Sequence, residues 1–172
     1  MRLVVTRLDA DGRYETMITR RDRVSYRVKG VAHNFAIPHD VAHFVVEDAL
    51  RLARGFWGSV ASGAVFRSMS HAAGRRKPRA AQRSEDILKA NSRQLGDAEV
   101  LVLIFNETIE QGHGETSPVL QMRLKEHAAR CGPRPREIVP SEIAKVYAAY
   151  RAVLQTWQEL PVGGTLSLEW TV

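Results

Sequence analysis

Both ends of this chain alternate with period two, while almost everything between them runs with helical period. That arrangement confines the fold to a sheet built from both ends, with helices inserted between its strands. Arg2 to Leu8, Arg13 to Thr19 and Val24 to Lys29 read as three strands, separated by the polar breaks Asp9-Ala10-Asp11-Gly12 and Arg20-Arg21-Asp22. Tyr14, Thr16 and Ile18 alternate with Glu15, Met17 and Thr19, and Val24, Tyr26 and Val28 alternate with Ser25, Arg27 and Lys29. Such alternation is the mark of an antiparallel meander with one buried face. Leu166, Leu168, Trp170 and Val172, set against Ser167, Glu169 and Thr171, predict a last strand over 165–172 that pairs with the meander.

The middle of the chain predicts helices. Pro38 stands at a favoured first helical position, ahead of an apolar periodic stretch through Ala53 that stops at Gly55. The small residues from Gly55 to Gly63 suit a tight packing corner better than a phosphate loop, which would want a preceding strand. Ser84-Glu85-Asp86 opens a helix to about Arg93, and Asp97 opens another through Ile109. Val100 to Phe105 is apolar on all sides and equally suits a buried strand. Ser117-Pro118 starts a helix that ends near Gly132. Ile143, Val146, Tyr147, Tyr150, Val153, Leu154, Trp157 and Leu160 hold one face of a final helix, which stops at Pro161. The expected class is therefore α+β: an antiparallel sheet, made of the N-terminal three-strand meander plus the C-terminal strand, packed against several helices. At 172 residues, one domain over 1–172 is the expectation.

Charge and cysteine usage bound the partners. The net charge is +6, and it is local: Arg67, Arg75, Arg76, Lys77, Arg79 and Arg83 lie in a stretch with no acid. Residues 68–84 have no apolar period and contain Gly74 and Pro78, so a mobile basic loop is expected there. Such a loop could contact an acidic partner or nucleic acid, although no aromatic follows Phe66 within it to stack on bases. No apolar run approaches the ~20 residues needed to cross a bilayer, so no membrane association is expected. With Cys131 alone, no intrachain disulfide can form, and a cytoplasmic address follows most simply.

The pointed chemical feature is Pro38-His39-Asp40-Val41-Ala42-His43, an H-D-x-x-H at the head of a helix. Residues four apart lie ~40° apart around the helix and ~6 Å along it, so His39 and His43 can turn toward one metal ion, zinc being the expected one. Asp40 then becomes the candidate catalytic base. Glu47 lies ~12 Å from His39 along the axis, too far to share that ion, so a third ligand must come from elsewhere. His71, Glu85, Asp86, Glu107 and His113 are the donors considered. A structural reading competes: Asp40 complements the helix dipole, and His43, Glu47 and Arg51 pair along the polar edge. His127 and Cys131 form another ligand-type pair at the same spacing, but a thiol at the end of a helix is poorly placed as a nucleophile.

The H-D-x-x-H stretch resembles the zincin metallopeptidase helix, in which a glutamate stands where Asp40 stands here. That resemblance implies a hydrolase using His39 and His43 as ligands and Asp40 as base, with a shorter carboxylate reach. The chain also resembles a family of small bacterial proteins that share Ile37 to Phe44, the Gly55-Phe56-Trp57-Gly58 corner and the Trp157 to Leu166 entry to the last strand. This second likeness implies a single domain and carries no functional residue with it.

Overall fold

The computed structural model describes residues 1–32, 36–131 and 136–172. Among the described residues, five strands and five helices follow one another as β1 (Arg2–Arg7), β2 (Arg13–Thr19), β3 (Ser25–Val31), α1 (His39–Ala49), α2 (Phe56–Ser62), β4 (Met69–Ala73), α3 (Ala80–Glu110), α4 (Pro118–Arg130), α5 (Pro140–Glu159) and β5 (Thr165–Glu169). The class is α+β, and the sheet is antiparallel throughout, in the order β4-β3-β2-β1-β5.

The alternation at the two ends produces one buried face. Leu3 pairs with Ile18 and Leu168, Val5 with Thr16 and Leu166, and Ile18 with Tyr26, so these side chains stand on the same side of the sheet. The register continues past the strands, since Trp170 N donates to the Met1 carbonyl at 2.8 Å. The opposite side carries Arg2, Arg27, Ser167 and Glu169, all exposed.

Helices cover the buried face as two apolar clusters. One gathers Val5, Tyr14 and Leu166 with residues of α1, α3, α4 and α5, including Phe105, Tyr147 and Tyr150. The other gathers Leu3, Ile18, Tyr26 and Trp170 around Phe44 and Trp57. Helix α1 serves both, with Val41, Val45 and Val46 in the first cluster and Phe44 in the second. Its orientation is thereby fixed on two sides, and so is that of the histidines it carries.

Four sequence expectations need correction. Residues 69–73 are not a mobile loop but the edge strand β4, held by backbone pairing to β3 with Met69 as its one buried anchor; the loop between β4 and α3 shrinks to 74–79. Such a strand has no apolar alternation to read, because only one of its residues is buried. The two helices expected over 84–93 and 97–109 are one, α3, which runs through Gly96. A glycine in a helix interior costs about 1 kcal/mol, which the packing of Leu101, Val102, Ile104 and Phe105 offsets. Val100 and Leu103 in the same stretch stay exposed, so its all-round apolarity is that of a helix and not of a buried strand. The corner after Gly55 is a short helix, α2, while α1 ends at Ala49, ahead of the predicted Ala53. The start of α4 is as expected, with the Ser117 side chain accepting from Val119 N at 3.2 Å; its predicted end near Gly132 lies outside the described residues.

Candidate metal centre

His39 and His43 occupy the first two turns of α1 and share one face, their rings edge to face with centroids 4.6 Å apart. Across from them, α3 presents Glu99. Its Oε1 lies 3.3 Å from His39 Nε2, and its Oε2 lies 3.0 Å from His43 Nε2. One ligand atom from each of the three side chains lies within 4.8 Å of the others, close enough to share one ion. The cluster opens on one side: the His43 side chain is 5% exposed, whereas Glu99 is 59% exposed.

The second nitrogen of His43 is braced from behind. Its Nδ1 lies 2.9 Å from Glu47 Oε1, and Glu47 is wholly buried. Glu47 also accepts from the backbone N–H groups of Phe56 at 2.8 Å and Trp57 at 2.9 Å, the first amides of α2. This carboxylate satisfies donors that a helix start leaves unpaired. Gly55 makes the approach feasible, because a Cβ there would stand 2.5 Å from the Glu47 carboxyl carbon. The glycine and aromatic corner is thus the seat of the acid that orients His43.

Burial alone would lower the pKa of His43, but hydrogen bonds and charge from Glu47 and Glu99 outweigh it and push the imidazole up to about 9. Hydrogen bonds from His39 and His43 hold the Glu99 carboxyl far below its ordinary value. Without an ion, a proton on His43 holds the two acids together.

Asp40 is not among the converging ligand atoms. Burial raises its carboxyl pKa against the lowering pull of His39, His43 and the Tyr14 hydroxyl. Its Oδ2 is buried without a hydrogen-bond partner, and its backbone carbonyl accepts from Trp57 Nε1 at 2.9 Å.

None of the donors considered from sequence completes the cluster. His71 sits on β4 with Nε2 2.9 Å from the Gly74 carbonyl, Asp86 accepts from Gln82, and Glu107 pairs with Arg123. Glu85 is exposed on the first turns of α3, and His113 follows its end. Glu99 escaped notice because the two-helix reading placed it in the first turn of a new helix, where an acid needs no special explanation. One continuous α3 crossing α1 would have singled it out. Comparison with family models, curated proteins and solved structures finds no match, so the reading of the site rests on its geometry.

Proposed function

We propose that this protein binds a divalent metal ion, zinc fitting best, through His39, His43 and Glu99. The observation that carries this reading is the convergence of two imidazole Nε2 atoms on one carboxylate, with the far nitrogen of His43 braced by a buried acid. A carboxylate behind a ligating histidine fixes the ring and strengthens its donor atom. Two histidines, one glutamate and an open side form the ligand set of catalytic zinc sites, where the ion acidifies a bound water. In a hydrolytic use, Asp40, close enough to His39 and His43 for their charge to act on its carboxyl, is the residue that accepts the proton.

The test is zinc titration and elemental analysis of the full chain purified without a metal-affinity tag. Glu99→Gln and His39→Ala are expected to weaken zinc by at least about tenfold while the protein stays folded. Unchanged affinity in both would sink the reading. Asp40→Asn is expected to keep the metal and lose turnover on a general probe such as casein or an activated ester.

A second reading has its own observation. A Cβ on Gly74 would stand 2.4 Å from the Arg23 carbonyl, so the turn after β4 packs on the β2–β3 turn and brings the Arg75-Arg76-Lys77 run beside Arg21, Asp22 and Arg23, with Lys77 acting on Asp22. This patch suits an acidic partner such as nucleic acid, bound through phosphates. Binding to a DNA probe at low salt that falls steeply as salt rises, and that Arg75→Ala with Arg76→Ala weakens, would support it.

A further inference from the structure

A second set of ligand atoms meets between α3 and the end of α4. Cys131 Sγ lies 3.4 Å from His127 Nε2 and 3.5 Å from Asp97 Oδ1, and one ligand atom from each of the three falls within 4.8 Å of the others. His127 and Cys131 are four apart in sequence, and Asp97 comes from the neighbouring helix. For zinc bonds of ~2.3 Å to sulfur and ~2.0 to 2.2 Å to nitrogen or oxygen, the edges of a tetrahedron from sulfur measure about 3.5 to 3.7 Å. The 3.5 Å distance lies at the short end of that range, and the 3.4 Å distance falls about 0.1 Å below it.

The trio borders a cavity of about 560 Å³ whose wall includes Leu52, Leu101 and Ile138. An ion held there keeps a coordination position facing open space, with an entry path. Arg54, Arg93 and Arg136 also line the cavity, and two of them are engaged: Arg93 donates to the Cys131 carbonyl and approaches Asp97, and Arg136 pairs with Glu142.

A nucleophilic reading of the same residues fits less well. In that arrangement the imidazole stands between acid and thiol, whereas here Asp97 reaches the sulfur itself. Burial and the Asp97 charge push the Cys131 thiol pKa up, so the metal-free thiol is not activated.

We propose that Asp97, His127 and Cys131 form a second zinc site, tying α3 to the C-terminal end of α4 with its open position facing the cavity. It differs in kind from the first site, because a thiolate makes it softer and more selective for zinc over magnesium or calcium.

Cobalt(II) as a stand-in for zinc tests this on the full chain. Cys131 is the only cysteine, so a sulfur-to-cobalt charge-transfer absorption can come from no other residue. The band is expected to saturate with one cobalt per chain bound through sulfur, beyond any ion taken by His39, His43 and Glu99, to vanish in Cys131→Ser with the loss of one bound ion, and to persist in Glu99→Gln. His127→Ala should weaken the band-forming site by about tenfold or more, with the metal-free unfolding transition kept as a control for folding. Absence of the band from folded protein overturns the proposal whatever happens at His39 and His43. Saturation at half a cobalt per chain also overturns it, since two chains would then share the ion through their thiols.

Discussion

The chain carries the same device twice: two ligand-type residues four apart on one helix, met by a carboxylate from α3. Glu99 and Asp97 lie two residues apart, ~200° around the helix, so α3 offers one acid to α1 and the other to α4. The two clusters differ in what stands behind them. His43 is backed by a wholly buried glutamate that also binds two backbone amides, whereas Asp97 is 38% exposed and, among the described residues, has Arg93 at 3.9 Å as its one ion-pair partner behind the cluster. The lesson is that convergence makes a site, and bracing ties it to the fold. The first cluster is part of the core, and the second rests on it.

The largest effect that follows is on Glu47. Glu47→Ala strands a buried imidazolium and leaves the Phe56 and Trp57 amides without an acceptor, so a loss of roughly 3 to 5 kcal/mol is expected in denaturant unfolding. Asp97→Ala, the matching acid of the other cluster, is expected to change stability by less than about 1 kcal/mol. Equal losses would erase the distinction between the clusters.

Next comes the pH dependence of the metal-free protein. The His43 pKa is raised from 6.5 to about 9, so its contribution is fully present below the unfolded value and is lost as pH rises through the folded one. Stability is expected to fall on the order of 3 kcal/mol from pH 6.5 to just above 9. Zinc affinity at the first site should rise over the same window, because the ion displaces the His43 proton. A stability curve flat across that window in the metal-free protein would contradict the paired state of His43.

How far the sequence reaches depends on how each element is stabilised. The meander, the last strand and α5 are legible because one face of each is buried, and burial writes itself into the period: Tyr14, Ile18 and Tyr26, or Ile143, Val146 and Tyr150. Strand β4 is held by backbone bonds, which leave no mark on side-chain choice. The unity of α3 is hidden by Gly96, a local break that tertiary packing overrides. At the site, the i,i+4 pair His39 and His43 is visible because one helix carries both. Glu99 is 56 residues from His43 and comes to it only through the crossing of α1 and α3. The His43 to Glu47 pairing was readable, but its anchoring by α2 was not, since nothing in Phe56 or Trp57 announces what their amides will bind.

The smallest stability effect tests function most sharply. Glu99 is mostly solvent-exposed, so its ion pairs with His39 and His43 are screened and Glu99→Gln should cost less than about 1 kcal/mol. Its side chain keeps nearly the same size and one acceptor oxygen, so His43 retains a hydrogen-bond partner on each side. A carboxamide is nevertheless a poor zinc ligand, and the affinity of the first site should drop by at least about tenfold. Calorimetric zinc titration beside a thermal melt separates the two quantities. If the melt falls as far as it does in Glu47→Ala, Glu99 is a clamp that the fold requires, and its meeting with two histidines is structural. If the melt holds and zinc binding collapses, the acid on α3 is there for the ion.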